Sequence, residues 1–99
     1  MSEKLVRDKI PEIIESSGRA CHYRIASDDE YKHLLIEKLD EEVTEYKESG
    51  SLEELADILE VLIALSNINN CSESDLLYFN HKKREERGGF DNKIVLMMD

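Results

Sequence analysis

The segment Leu39–Leu65 reads LDEEVTEYKESGSLEELADILEVLIAL, with nine carboxylates and one lysine. Two of its parts share a spacing, Glu42-x-x-Glu45 and Glu54-x-x-Asp57. Residues three apart lie on the same side of an α-helix. The two parts are separated only by SGS, and so short a connection makes two helices antiparallel neighbours. The segment therefore predicts a helical hairpin with both acid pairs near its turn.

Further helices are predicted from capping patterns along the chain. Ser27, Ser51 and Ser72 are each followed three residues later by an acidic residue, which is typical of helix N-termini. Pro11 suits a first helical turn, and Gly18 suits the end of the same short helix. The helices are expected at about 8–17, 28–49, 52–69 and 73–87.

Two apolar segments predict a small β-accessory to these helices. ACHYRIA, at about 20–26, alternates as a strand does, and KIVLMM, at 93–98, is the candidate partner strand. The expected fold is mainly α, a helical bundle built round the central antiparallel hairpin, with this possible two-strand accessory. A chain of 99 residues predicts one domain over 1–99.

Composition excludes several classes of function. A formal net charge of −10 argues against binding to a nucleic-acid polymer, which selects for clustered Lys and Arg. The N-terminal residues lack the apolar region of a signal peptide, and no apolar run has membrane-spanning length. Cys21 and Cys71 belong to no zinc-binding set and favour free thiols in a reducing compartment. We expect a cytoplasmic protein without membrane contact, whose small core self-association would help to stabilise.

The acids of the hairpin interrupt surfaces that are otherwise apolar. Glu42 lies at the edge of the apolar stripe of its helix, with Glu45 beside it, and from Leu55 to Leu65 only Asp57 and Glu60 are not apolar. A buried carboxylate is costly unless it is paired with a cation or binds a metal. Few basic residues lie nearby in sequence, although Arg7 or Lys83 could reach the acids from another helix.

Carboxylates at i and i+3 on two facing helices are suited to a hard divalent cation such as Mg²⁺. The candidate ligands are Glu42, Glu45, Glu54 and Asp57. Two other interpretations stay open. In the first, the acids form a solvated acidic edge. In the second, the Glu54 carboxylate interacts favourably with the positive N-terminal end of its helix dipole.

Basic residues are concentrated in two other parts of the chain. Lys83 and Arg87 follow a helical spacing that continues an apolar face, and Arg7 and Lys9 lie near the N-terminus. Such a patch beside an acidic hairpin could neutralise phosphate oxygens while the acids hold a metal. The alternative is that the C-terminal basic residues serve the helix dipole and ordinary ion pairs.

With these motifs in order, the chain resembles the all-α nucleoside triphosphate pyrophosphohydrolases, which include MazG proteins, dimeric dUTPases and phosphoribosyl-ATP pyrophosphohydrolase. Four phrases carry the resemblance over nearly the whole chain: KLVRDKIPEII, LIEKLDEEVTEY, SLEELADILEVLIAL and KREERGGF. They are most similar to a short MazG-like, phosphoribosyl-ATP-pyrophosphohydrolase-like subgroup. The connection between Glu45 and Glu54 is tighter than in many MazG proteins.

The resemblance implies Mg²⁺-dependent hydrolysis of a nucleoside triphosphate to the monophosphate and pyrophosphate, with Mn²⁺ as a substitute metal. It makes Glu42, Glu45, Glu54 and Asp57 the metal ligands, and one of these acids or Glu41 the residue that activates water. Phosphate contacts would come from Arg7, Lys9, Lys83 and Arg87. It also implies a homodimer or homotetramer. The competing hypotheses are a non-catalytic helical interaction module with a vestigial metal site, and a hydrolase of phosphoribosyl-ATP or of a damaged, non-canonical nucleotide.

Overall fold

The expected mainly α architecture is confirmed by a computed structural model, which describes residues 3–98. Its four helices match the predicted positions closely: α1 Ile10–Ser16, α2 Asp28–Ser49, α3 Leu52–Ile68 and α4 Glu73–Arg87. The predicted central hairpin is confirmed as well, because the most extensive contact between helices is that of α2 with α3.

The hairpin turn is set by Gly50 and Ser51. Gly50 adopts a φ of 63°, in the left-handed region that glycine enters without steric cost, and its amide donates to the Tyr46 carbonyl at 2.7 Å. The Ser51 hydroxyl accepts from the Glu54 amide at 3.4 Å and so begins α3. Leu35 of α2 and Val61 of α3 are the buried hydrophobic residues of the part described.

A hydrogen-bonded corner joins α3 to α4. The buried Ser66 hydroxyl donates to the Cys71 carbonyl at 3.0 Å, and its backbone carbonyl accepts from the Cys71 amide at 3.0 Å. Ser72 and Asp75 then form a reciprocal capping box at the start of α4. These bonds fix the direction in which α4 leaves α3, and α4 packs against no other helix among residues 3–98.

The predicted two-strand accessory is wrong. Residues 20–26 and 93–98 both have irregular backbone, and no strand forms within the part of the chain that is described. A lone two-stranded ribbon is marginal in water, and the first segment is held differently. Arg24 pairs with Glu3 at 3.1 Å and with Glu30 at 2.6 Å, which ties this loop to the start of α2.

Burial is much lower than the apolar pattern predicts. A helix as apolar as Leu55–Leu65 is expected to be buried on several sides, but Leu55, Leu59 and Leu62 are exposed. The aromatic residues Tyr78 and Phe79 are also exposed, on α4. Cys21 and Cys71 are free thiols, as expected, and half-buried.

Candidate metal centre

The acids of the hairpin converge in two groups that share Glu42. One group joins carboxylate oxygens of Glu41, Glu42 and Glu45 on α2, and the other joins those of Glu42, Glu54 and Asp57. Within each group, one oxygen from every residue lies within 4.8 Å of the others. The i, i+3 spacing on two antiparallel helices produces this convergence, because it directs each pair toward the facing helix.

Glu42 is the most buried of these acids, with an exposed fraction of 5 %. Its Oε1 atom lies 3.4 Å from the Lys38 ammonium, whereas its Oε2 atom is buried without a hydrogen-bond partner. Burial raises the pKa of Glu42, and the neighbouring carboxylate of Glu45 raises it further against the opposing effect of Lys38. A buried, unsatisfied carboxylate oxygen costs about 1–3 kcal/mol, so this atom marks where the hairpin favours an additional cation.

Glu41 has the opposite environment. Lys4 contacts its Oε1 atom at 3.2 Å, and Lys38 contacts its Oε2 atom at 3.5 Å. Partial burial acts to raise the pKa of the Glu41 carboxyl, but the two ammonium groups outweigh it and hold that pKa below its usual value. Both oxygens of Glu41 are therefore occupied, which makes it a weaker proton acceptor than an unpaired carboxylate.

Asp57 is paired with a guanidinium from the N-terminal segment. Arg7 donates from Nη2 to Asp57 Oδ1 at 2.7 Å, and its Nη1 atom lies 3.8 Å from Glu60. The sequence suggests that Arg7 could reach the acids, and this contact confirms it. It places Arg7 against a candidate metal ligand. Ion pairs at such partly exposed positions contribute typically 0.2–1 kcal/mol, so a divalent cation can compete for Asp57.

The other predicted phosphate ligands lie apart from the acids. Lys9 is exposed at the N-terminus of α1, and Lys83 and Arg87 are exposed along α4. Within residues 3–98, no ion pair joins any of the three to an acid of the hairpin. Glu45 and Glu54 likewise have no cationic partner among the described residues, so the convergent acids outnumber their counter-charges.

Two lysines at the site were missed in the sequence. Lys38 precedes Glu42 by four residues on one helix, a spacing that predicts an ion pair and could have been noticed. Lys4 reaches Glu41 across 37 positions, and no local signal predicts such a contact. Both lysines neutralise the outer part of the cluster, whereas Glu42 Oε2, Glu45 and Glu54 stay unpaired.

The donor set fits a hard divalent cation. All candidate ligands are carboxylate oxygens, which Mg²⁺ and Mn²⁺ prefer, and the cluster lacks the imidazole and thiolate groups that suit softer metals. The unsatisfied Glu42 oxygen is an observation of this fold, separate from the acidity of the cluster, that also favours a cation. The residues suited to hold such an ion are Glu42 with Glu54 and Asp57 in one group, and Glu42 with Glu45 in the other; the structure does not bring all four predicted ligands into one group.

Comparison with known proteins gives little that bears on function. No family model matches this chain, and no solved structure matches it significantly. A curated relative, described as an uncharacterized protein of Mycolicibacterium smegmatis (strain ATCC 700084 / mc(2)155), is 57 % identical over 44 residues. The match spans 44 % of this chain and 45 % of that protein, less than half of either. Within residues 3–98, no helix combines the length and apolar character needed to cross a bilayer.

Proposed function

We propose that this chain is a divalent-metal-dependent nucleoside triphosphate pyrophosphohydrolase that uses Mg²⁺, with Mn²⁺ as a substitute. The observation that carries the proposal is Glu42 Oε2, a buried carboxylate oxygen without a partner, set among the carboxylates of Glu45, Glu54 and Asp57. This arrangement disfavours the metal-free state and favours a bound cation. The resemblance to the all-α pyrophosphohydrolases in four separate phrases supports the choice of substrate class.

The metal ligands are Glu42, Glu45, Glu54 and Asp57. A bound Mg²⁺ would supply charge neutralisation for phosphoryl oxygens and a lowered pKa for its water. Asp57 exchanges its ion pair with Arg7 for this role, which frees the Arg7 guanidinium for a phosphate oxygen. In this proposal Arg7 pairs with the Asp57 carboxylate when no metal is bound, and with a phosphate oxygen of the substrate when the metal takes Asp57.

In the proposed reaction, a water oxygen attacks the α-phosphorus while the bond to the α,β-bridging oxygen breaks and pyrophosphate leaves. Glu45 accepts the water proton, because it has no cationic partner among residues 3–98 and lies within the cluster. Glu41 is less suited, since Lys4 and Lys38 occupy both of its oxygens. Glu41 instead holds these lysines beside the site, where their charge stabilises the anionic substrate.

The phosphate groups of the substrate are assigned to Lys83 and Arg87, with Lys9 and Arg7 as further contacts. Lys83 and Arg87 have no ion pair with an acid elsewhere in residues 3–98 and so keep their charge available. We include a homodimer or homotetramer in the proposal, because the basic end of α4 lies apart from the acids within one chain.

A second candidate is a non-catalytic interaction module that binds a metal without turnover. It is favoured by the ion pairs that already neutralise Asp57 and Glu41, and by the large exposed apolar surface of the chain. A third is hydrolysis of phosphoribosyl-ATP or of a damaged nucleotide, at the same site.

The proposal is tested by pyrophosphate release from the common ribo- and deoxyribonucleoside triphosphates and from phosphoribosyl-ATP, with Mg²⁺ and with excess chelator. We expect Mg²⁺-dependent release, and a loss of kcat of about 100-fold or more in Glu42→Gln and in Asp57→Asn, because each removes a charged ligand of the reacting centre. Glu53→Gln, an exposed acid beside Glu54, is the matched control and should retain activity.

Substrate breadth in the same assay separates the first and third candidates. If kcat is unchanged in both Glu42→Gln and Asp57→Asn, with folding checked by circular dichroism, the acids are not the catalytic centre. If no substrate is hydrolysed although Mn²⁺ binds to the wild-type chain, the interaction module is the better description.

A further inference from the structure

The N-terminal segment crosses the hairpin from one helix to the other beside the acids. Lys4 contacts Glu41 of α2 at 3.2 Å, and Arg7 contacts Asp57 of α3 at 2.7 Å. The backbone between Lys4 and Arg7 is irregular, and three residues of chain can span about 10 Å. Packed helices lie roughly 8–10 Å apart, so this spacing lets one short segment contact both helices. We call residues 3–9 the N-terminal strap.

The two cations of the strap are divided between the two acid groups. Glu41 belongs to the group confined to α2, and Asp57 belongs to the group that includes α3 residues. Lys4 and Arg7 therefore each pair with an acid of a different group. Glu42, the member common to both groups, is 5 % exposed and keeps its Oε2 atom without a hydrogen-bond partner. The strap thus supplies two counter-charges to the cluster but leaves its buried carboxylate available to a further cation.

Few contacts attach the strap to the hairpin. Within residues 3–98, no backbone hydrogen bond joins it to α2 or α3, and α1, which follows it, packs against no other helix. The side chains of Lys4 and Arg7 are 62 % and 54 % exposed, and ion pairs at such positions are individually weak. Leu5, next to Lys4, is only half-buried. Segments with so little burial open locally at small cost, so the strap can detach while α2 and α3 stay packed.

The two ends of the strap differ in what holds them. At its N-terminal end, Glu3 contacts Arg24 at 3.1 Å, and Arg24 also contacts Glu30 at 2.6 Å near the start of α2. None of these three residues belongs to either acid group, so a cation bound at the acids leaves this attachment in place. Toward α1, the ion pairs with the hairpin are those of Arg7. An opening that starts at the acids is therefore larger at Arg7 than at Lys4, which adjoins the fixed end.

We propose that the N-terminal strap is a switch that a divalent cation at the acids opens. In the closed strap, Arg7 and Lys4 serve as counter-charges of the cluster. A cation that takes Asp57 removes the partner of Arg7 and repels its guanidinium, so the strap detaches at Arg7. Its basic side chains then become available to an anion that arrives after the metal. The inference rests on the metal site of the proposed function, but it does not require hydrolysis.

The experiment measures trypsin cleavage of the full chain after Lys4, Arg7 and Lys93 by mass spectrometry, in chelator and in saturating Mn²⁺ at equal ionic strength. Trypsin must bind the basic side chain in its own pocket, so the closed strap protects its paired residues and cleavage follows the population of the open form. Mn²⁺ should accelerate cleavage after Arg7 about 3-fold, the effect of losing one exposed ion pair, and cleavage after Lys4 by less. Lys93, in the exposed C-terminal segment, is the internal control and should be cleaved at an unchanged rate.

A variant tests the closed strap without any metal. Asp57→Asn removes the carboxylate that holds Arg7. Its cleavage after Arg7 in chelator should therefore be about as fast as that of the wild type in Mn²⁺, and Mn²⁺ should add little. Glu53→Gln, an exposed acid on the same helix, is the matched control and should keep the slow cleavage of the wild type in chelator. Circular dichroism checks that both variants fold, and the wild-type comparison depends on neither.

Failure of the switch can be distinguished from failure of the proposed function. If Mn²⁺ binds, measured by the electron paramagnetic resonance of free Mn²⁺, but cleavage after Arg7 is not accelerated, the switch is wrong and the metal site stands. Equal acceleration after Lys93, or slow cleavage of Asp57→Asn in chelator, also overturns the switch. A wild-type chain that binds no Mn²⁺ overturns the switch and the metal site together. Acceleration after Arg7 in a chain that hydrolyses no nucleotide supports the switch and rejects only the catalytic assignment.

Discussion

The two faces of α3 differ from the usual pattern in which charged side chains are exposed and apolar ones are buried. The face with Glu54 and Asp57 packs toward α2 and is half-buried, whereas the opposite face, with Leu52, Leu55, Leu59 and Leu62, is exposed. Globular helices usually bury the apolar side and expose the charged side. The difference teaches that the packing of one chain does not by itself cover the apolar side of α3.

The largest expected effect is the loss of metal affinity when the acidic face loses one charge. In Glu54→Gln, Mn²⁺ affinity followed by the electron paramagnetic resonance of free Mn²⁺ should fall roughly 100-fold, because a neutral amide replaces a charged ligand. Two controls sharpen the comparison of faces. Glu53→Gln removes an exposed neighbouring acid, and Leu59→Ala changes the opposite face, and each should alter affinity by less than about 2-fold. Equal losses in Glu53→Gln and Glu54→Gln would show that Mn²⁺ responds to the general negative charge of this surface and that Glu54 is not a specific ligand.

A smaller effect is expected on the metal-free fold. Because burial, followed by the proximity of Glu45, raises the pKa of Glu42, the charged form destabilises the folded chain at neutral pH. Glu42→Gln should therefore raise the free energy of unfolding by about 1 kcal/mol in chelator, measured with urea at a fixed protein concentration.

The sign of the pH dependence follows from linkage. Because the pKa of Glu42 is raised in the folded state, the folded chain takes up this proton at a higher pH than the unfolded chain does. The contribution of Glu42 to the free energy of unfolding therefore increases as pH falls from neutral through the folded-state pKa. It levels off below the ordinary pKa of 4.5. The advantage of Glu42→Gln over wild type should shrink over the same range. Glu37→Gln, an exposed change on α2, should show neither effect. A less stable Glu42→Gln at neutral pH would mean that the Lys38 ion pair outweighs the burial.

The smallest effect concerns the cation that already covers part of the acidic face. Arg7→Ala should tighten Mn²⁺ binding about 3-fold, because Asp57 no longer exchanges a guanidinium for the metal and the lost ion pair was worth under 1 kcal/mol. Lys9→Ala removes an equal charge two residues away and should change affinity less. Weaker binding in Arg7→Ala would show that Arg7 holds Asp57 in place instead of competing for it.

Local features of this molecule could be predicted from sequence, and long-range ones could not. Capping residues and the short SGS connection determine the hairpin, and the three-residue spacing then directs Glu42, Glu45, Glu54 and Asp57 toward each other. The Arg7–Asp57 contact spans 50 positions and has no periodic signal. The apolar alternation of 20–26 predicted a strand, but alternation describes one segment and says nothing about whether a partner edge exists.

The apolar pattern of α3 was interpreted correctly as hydrophobic but wrongly as buried. Periodicity reports which side chains avoid water, and the same pattern arises whether the covering surface belongs to the same chain or to another. For that reason, the exposure of Leu55 and Leu59 could be found only from the fold.

A small change of angle at the Ser66 corner would move the far end of α4 by a large distance. The 15 residues of α4 extend about 22 Å beyond a pivot that a few hydrogen bonds hold. A tilt of only 15° at that pivot would displace Arg87 by roughly 6 Å, more than the length of a hydrogen bond. The position of the positively charged tip therefore depends in part on the hydroxyl of Ser66, 21 positions earlier in the chain.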